Sequence, residues 1–198
     1  VFEVNNKVYL KEKELLALEK VDLSNYPEKH KYRDLFLFQI YTSLRYTELE
    51  LLDDAIVSES TIKIYSEKNK DFVVRPINDK IHKLLIKVKQ DSVYRKTIKI
   101  YNEHIKEICK LAGVDSEIFE VKYYGKKKEV IKKSKFEKIS NHNARNTFIS
   151  LSLSKGMPKS LVKEITGHKS DEAFDAYNNL DQEDAFKSWN ETWSSFWD

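Results

Sequence analysis

Hydrophobic and polar positions recur with two periods along this chain, and the period separates helix from strand. KEKELLALEK, residues 11–20, sets apolar residues at helical spacing among charges and predicts a short amphipathic helix. After the turn-like SNYPEK, the stretch HKYRDLFLFQIYTSLRYTELELL predicts a largely buried helix on Leu35, Phe36, Phe38 and Leu44. That helix runs into a second, short one around Tyr46 to Leu52. The period then drops to two. TIKIY, a polar EKNKD turn and FVVRPI predict a β-hairpin. DKIHKLLIKVKQ and YRKTIKIYNEHIKEICKLAG return to helical spacing, the second stopping at Gly113.

IFEVKYYGKKKEVIKK predicts another hairpin, turning near Gly125. Helices are expected near 142–154, 158–167 and 171–179, with Pro158 suited to a helix start. The tail, 181–198, puts Phe186, Trp189, Trp193 and Trp197 on one stripe at helical spacing. No internal repeat or low-complexity linker interrupts the pattern. The expected fold class is mainly α with a small antiparallel β-sheet.

Composition narrows this picture. Among 198 residues there are only 4 Gly and 3 Pro, which favours long regular elements over turns. Cys109 is the single cysteine, so no internal disulfide framework exists, and a reducing, cytoplasmic compartment is expected. No run of about 18 apolar residues suggests a membrane span. Charge is uneven: residues 121–138 hold eight lysines against two glutamates, whereas 171–198 hold eight acids against one lysine. A basic segment of this kind suits either a solvated hairpin or a polyanion partner.

The chemistry-bearing residues are cationic donors and tyrosines. There is no Gly-rich phosphate loop, and His142, His168 and Cys109 lack zinc-ligand spacing, so neither cofactor nor metal is expected. His142 and Arg145 lie three apart at a predicted helix start, sharing a face that favours an anion. Arg45 follows an apolar helix, where it needs a partner: Glu48, Asp53 or a ligand. Tyr177 falls on an apolar stripe with Ala173, Phe174 and Leu180, which by itself reads as a core-facing ring.

Taken together, SLRYTEL around Arg45, EKNKDFVVRP around Lys68, NHNARNTF with His142 and Arg145, and ITGHKSDEAFDAY with His168 and Tyr177 resemble the phage-integrase family of tyrosine recombinases. The resemblance is particularly to integrases of Bacteroides-type mobile elements. Arg145 to His168 spans 23 positions and His168 to Tyr177 nine, as in the family. The chain departs from the common pattern at Ser43, Asn146 and Thr166, none of them a catalytic position.

The resemblance implies a metal- and ATP-independent DNA recombinase. Tyr177 would be the nucleophile, His142 the base, and Arg45, Arg145 and His168 the phosphate donors. Lys68, with Lys70 in the same turn as its rival, would be the general acid. Lys70, Lys126, Lys127 and Lys128 are the expected DNA contacts. It also implies double-stranded DNA and a homo-tetramer joined through the C-terminal tail. Residues 1–198 would be the catalytic domain alone, without the N-terminal domain that completes the family's DNA clamp. Two other activities fit the same pattern less fully: a helical DNA-binding module without turnover, and a type IB topoisomerase-like strand transferase.

Overall fold

The computed structural model describes residues 8–66, 70–124, 127–168, 170 and 174, without the side chains of 122–124 and 127. At its centre is α2 (Lys29–Thr42), buried from Asp34 to Ile40. Helices α4 (Asp79–Asp91), α5 (Ile98–Leu111) and α7 (Asn141–Ser154) pack around it. Both α4 and α5 turn a single apolar face inward, Leu85 with Val88 and Ile105 with Ile108. The predicted helix starts are capped: the Asn78 side chain accepts from Ile81 N–H at 3.0 Å, and Asn143 Oδ1 accepts from Ser140 N–H at 2.7 Å.

Helices α1 (Glu12–Lys20), α3 (Tyr46–Leu49) and α8 (Lys159–Thr166) complete the frame around this centre. Strands β1 (Ile56–Val57), β2 (Thr61–Ser66) and β3 (Asp71–Pro76) form an antiparallel sheet in that order. Register pairs Ile62 with Arg75 and Ile64 with Val73, and these four side chains make the inward row. Tyr65 and Phe72 face outward and meet edge to face. A separate ribbon, β4 (Glu117–Tyr124) with β5 (Lys127–Ser134), leads into the one-turn helix α6 (Lys135–Lys138). At the base of this ribbon Glu120 pairs with Lys138 and Lys133, and hydrogen bonds from both hold its carboxyl down to about 2.

Among the described residues no helix is long and apolar enough to cross a membrane. Cys109 is fully buried in the core, and burial pushes its thiol up to about 12, so it is inert. The predicted helix 171–179 and the tail stripe lie outside the described residues, except Phe174. Phe174 is fully buried in a small second core with Ile149 and Val162.

Ser43 explains one departure from the family pattern. It ends α2 with φ +55° and ψ 23°, the left-handed conformation that glycine adopts without strain. Its hydroxyl is buried with no hydrogen-bond partner among the described residues. Ser43→Gly should therefore stabilise the protein. It removes about 1–2 kcal/mol of backbone strain and an unpaired hydroxyl costing about 1–3 kcal/mol, against about 0.5–1 kcal/mol of extra chain entropy. We expect a thermal melt to rise by about 2–4 °C or more; an unchanged or lower midpoint would show that Ser43 is not strained.

Candidate active site

Arg145 lies in the second turn of α7, on the side that packs against α2, and is 4% exposed. Its Nη1 donates to the Ser43 carbonyl at 3.2 Å, and its Nη2 donates to the carbonyl of Thr166. The same Nη2 is 3.4 Å from His168 Nδ1. One guanidinium thus ties together the end of α2, the end of α8 and His168. The end of α2 is far in sequence from the other two, which are two residues apart.

The local chain shapes follow from their residues. Gly167, at φ +67°, closes α8 with its N–H on the Glu164 carbonyl, while the His168 N–H reaches the Lys163 carbonyl at 3.1 Å. A side chain at 167 would be strained there. This turn returns His168 toward Arg145. Thr166, the second departure from the family pattern, is fully buried with Oγ1 2.7 Å from His168 Nδ1. A guanidinium can only donate, so where Nδ1 accepts from it the ring proton sits on Nε2. The Thr166 hydroxyl has one proton for two acceptors at 2.7 Å, the Val162 carbonyl and, in that tautomer, Nδ1. Phe174 meets the imidazole edge to face, 5.4 Å between centroids.

Arg45 sits two residues after Ser43, at the start of α3. Gln39 fixes this corner: its amide donates to the Leu44 carbonyl and its oxygen accepts from Tyr101. Of the two sequence-predicted partners, Glu48 is the one Arg45 uses. Glu48 Oε1 accepts from Arg45 Nη1 and Oε2 from the Arg45 backbone N–H, both at 2.7 Å. Asp53 instead binds Arg95 and the Tyr94 hydroxyl. The Arg45 side chain remains 31% exposed while that of Glu48 is 3% exposed. The guanidinium is therefore reachable from solvent and its carboxylate is not.

Behind Glu48 stands Arg75 of β3, which sequence reading missed. It is 3% exposed, with Nη2 at 3.8 Å from Glu48 Oε2. Burial, with Arg45 nearby, pulls its pKa down to about 10 against the opposing pull of Glu48. The available signal was position: Arg75 falls on the apolar phase of FVVRPI, two residues after Val73.

His142 occupies the first turn of α7, exposed, one turn before Arg145. The predicted shared helix has thus one exposed and one buried member. Lys70 is exposed in the β2–β3 turn at φ +50°, and Lys128 is exposed on β5. Lys68, Lys126, the side chain of Lys127 and Tyr177 lie outside the described residues. Among the described residues, no group of three or more His, Cys, Asp or Glu side chains gathers at metal-binding distances.

A mainly helical domain that uses one buried arginine to bind a helix end beside a second arginine and a histidine has the architecture of a tyrosine-recombinase catalytic domain. The chain belongs to the phage integrase family, whose pattern matches residues 9–184. Among solved structures, the XerA recombinase is 20% identical with a TM-score of 0.65, over 95% of this chain and 66% of that one. The XerH site-specific recombinase bound to palindromic difH substrate in a post-cleavage complex is 17% identical with a TM-score of 0.63, over 94% and 53%. The XerH pre-cleavage complex with difH gives 16% identity and a TM-score of 0.59, over 94% and 54%. The chain therefore spans between about half and two thirds of those proteins. At these identities the likeness concerns fold. No curated protein matches the chain.

Proposed function

We propose that this chain carries out site-specific DNA strand exchange through a covalent 3′-phosphotyrosyl intermediate, without metal or ATP. The observation that carries this reading is the Arg145 hub, which gathers the Arg45 corner and His168 about one point. Tyr177 Oη attacks the scissile phosphorus while the bond to the 5′-oxygen breaks. Its proton passes to His142, and Lys68 protonates the leaving oxygen. A phenol near its ordinary pKa of about 10 needs such a base. Arg45, Arg145 and the Nε2–H of His168 stabilise the charge that builds on the nonbridging oxygens. Phe174, three residues before Tyr177 in the sequence, is buried against His168, which supports this assignment.

Double-stranded DNA is the substrate in this reading, and the XerH complexes with difH support that choice. Lys70, Lys126, Lys127 and Lys128 would contact its phosphates. Replacing Lys126, Lys127 and Lys128 by alanine should weaken DNA binding and flatten the slope of log K against log salt by about 2–3. An unchanged slope in a salt titration would remove the β4–β5 ribbon from the DNA interface. The reaction would take place where the element's DNA is, in the cytoplasm.

We further propose a homo-tetramer joined through the tail. An apolar groove of about 570 Å³, lined by Leu15, Ile40, Tyr41, Ile81, Phe148 and Met157 among others, has the chemistry to accept its aromatic stripe. Trp189→Ala with Trp193→Ala should leave single-site cleavage intact and abolish four-protomer complexes on paired sites, as read by mass photometry. Tetramers formed at wild-type level would exclude the tail as the joint.

The function is tested with the full-length protein and a nicked duplex bearing its site, taken from the DNA flanking its gene, in EDTA. A denaturation-resistant protein–DNA adduct is expected. No adduct, with DNA still bound, would identify a binding module without turnover. Cleavage that EDTA abolishes would identify a nuclease.

A further inference from the structure

Arg75 is a buried charge that the proposed reaction does not use, and it lies against the site. Arg75 stands on the inward row of the sheet with Ile62, Ile64 and Val73, a position where an aliphatic side chain would fit the pattern. Its Nη1 donates to the Val74 carbonyl at 2.9 Å. Its Nε and Nη2 are buried and have no hydrogen-bond acceptor among the described residues. Leaving charged donors unused in a closed site is costly, so such a group calls for an explanation. The carboxylate that faces it is Glu48, with Oε2 3.8 Å from Nη2.

Glu48 is itself committed elsewhere. Both of its oxygens accept from Arg45, at 2.7 Å each. The Arg45 guanidinium is the partly exposed one, and on the reading above it must turn to the scissile phosphate. When it does, Oε1 loses its charged partner in a place closed to water. An orphaned buried carboxylate would pull Arg45 back and oppose catalysis.

We propose that Arg75 is the relief cation of this site: it takes over Glu48 as Arg45 engages the phosphate. A modest side-chain shift closes the 3.8 Å gap to ordinary charge-assisted hydrogen-bonding distance, and the donors it would use are the two left unused. Arg75 then acts through Glu48 and Arg45 and never touches DNA, so it is a positioning residue. No bond is made or broken in this step; one carboxylate changes partners. The inference rests on Arg45 being a phosphate ligand.

The test uses the full-length protein and single-turnover cleavage of the same nicked duplex. R75M should cleave about 10- to 100-fold more slowly, the range seen when residues that orient a first layer of ligands are removed. Its affinity for DNA should stay within about twofold of wild type, because the lost contact is not with DNA. R75K, which keeps the charge, should recover most of the rate. E48Q added to R75M should raise its rate by about fivefold or more, because an amide holds Arg45 less tightly than a carboxylate.

R75M cleaving at the wild-type rate overturns the proposal, and so does failure of E48Q to help a folded R75M. R45A supplies an arm that does not depend on R75M folding. With Arg45 gone, Glu48 passes to Arg75, so R45A should melt within about 4 °C of wild type. A fall of more than about 10 °C, as expected of an orphaned carboxylate, overturns the proposal. A wild type that forms no adduct removes the reading of the site and this inference together. An active wild type with an equally active R75M removes this inference alone.

Discussion

Arg145→Ala is expected to slow single-turnover cleavage by at least about 10²–10³-fold, the usual cost of losing one preorganised oxyanion donor. The figure is a lower bound because Arg145 also builds the site. Its guanidinium binds the carbonyls of Ser43 and Thr166 and lies beside His168. Removing it leaves those two carbonyls buried without that donor, at about 1–3 kcal/mol each, and loosens the turn that presents His168. Rate and stability should therefore fall together. Arg145→Lys keeps the charge but not the planar fork, so it should recover less than half of the lost barrier. Rapid-quench cleavage beside a thermal melt reads both quantities. An alanine variant that melts low but cleaves normally would make Arg145 a structural residue only.

The second large effect is on stability. Glu48→Leu should cost about 3–5 kcal/mol, a fall of about 6–20 °C in melting temperature. Glu48 is 2% exposed and stands between Arg45 and Arg75, so its loss leaves Arg75 charged and buried without a counter-ion. The same principle gives the control. Glu48→Leu combined with Arg75→Leu replaces a buried pair by apolar side chains and should recover most of the lost stability. A single variant as stable as wild type would mean that Arg75 is already neutralised by another group. A double variant no better than the single would place the damage in packing rather than charge.

Much of this molecule was legible from periodicity. The amphipathic stripes of α4 and α5, the apolar sweep of α2 and both hairpins stand where the pattern put them, because burial and pattern report the same physical quantity. Short elements did not show, β1 and α6 among them. Strand β1 has two residues, both exposed, so it carries no alternation to detect. Helix α6 is a single turn inside the lysine run, where solvation and helix read alike.

Of the candidate site, the sequence offered residues and not their geometry. HxxR spacing placed His142 and Arg145 on neighbouring turns, but it did not show that only Arg145 would be buried. That depends on where α2 ends, which Ser43 decides by turning left-handed. For Arg45, local spacing reduced the partners to Glu48 and Asp53, and the packing of Arg95 and Tyr94 removed Asp53 from the choice. Arg75 was missed because period two marks a strand's inward side from its apolar members. A charged residue on that phase reads as an edge or an outward position until the sheet is docked.

The most direct measurement is to map the covalent bond. The adduct trapped in EDTA is digested with protease and nuclease, and the peptide that retains a nucleotide is sequenced by mass spectrometry. The account requires the nucleotide to sit on Tyr177, attached through a 3′-phosphate with a free 5′-hydroxyl on the departing strand, and Tyr177→Phe to give no adduct. A nucleotide on any other of the eleven tyrosines, or an equal adduct from Tyr177→Phe, would contradict it.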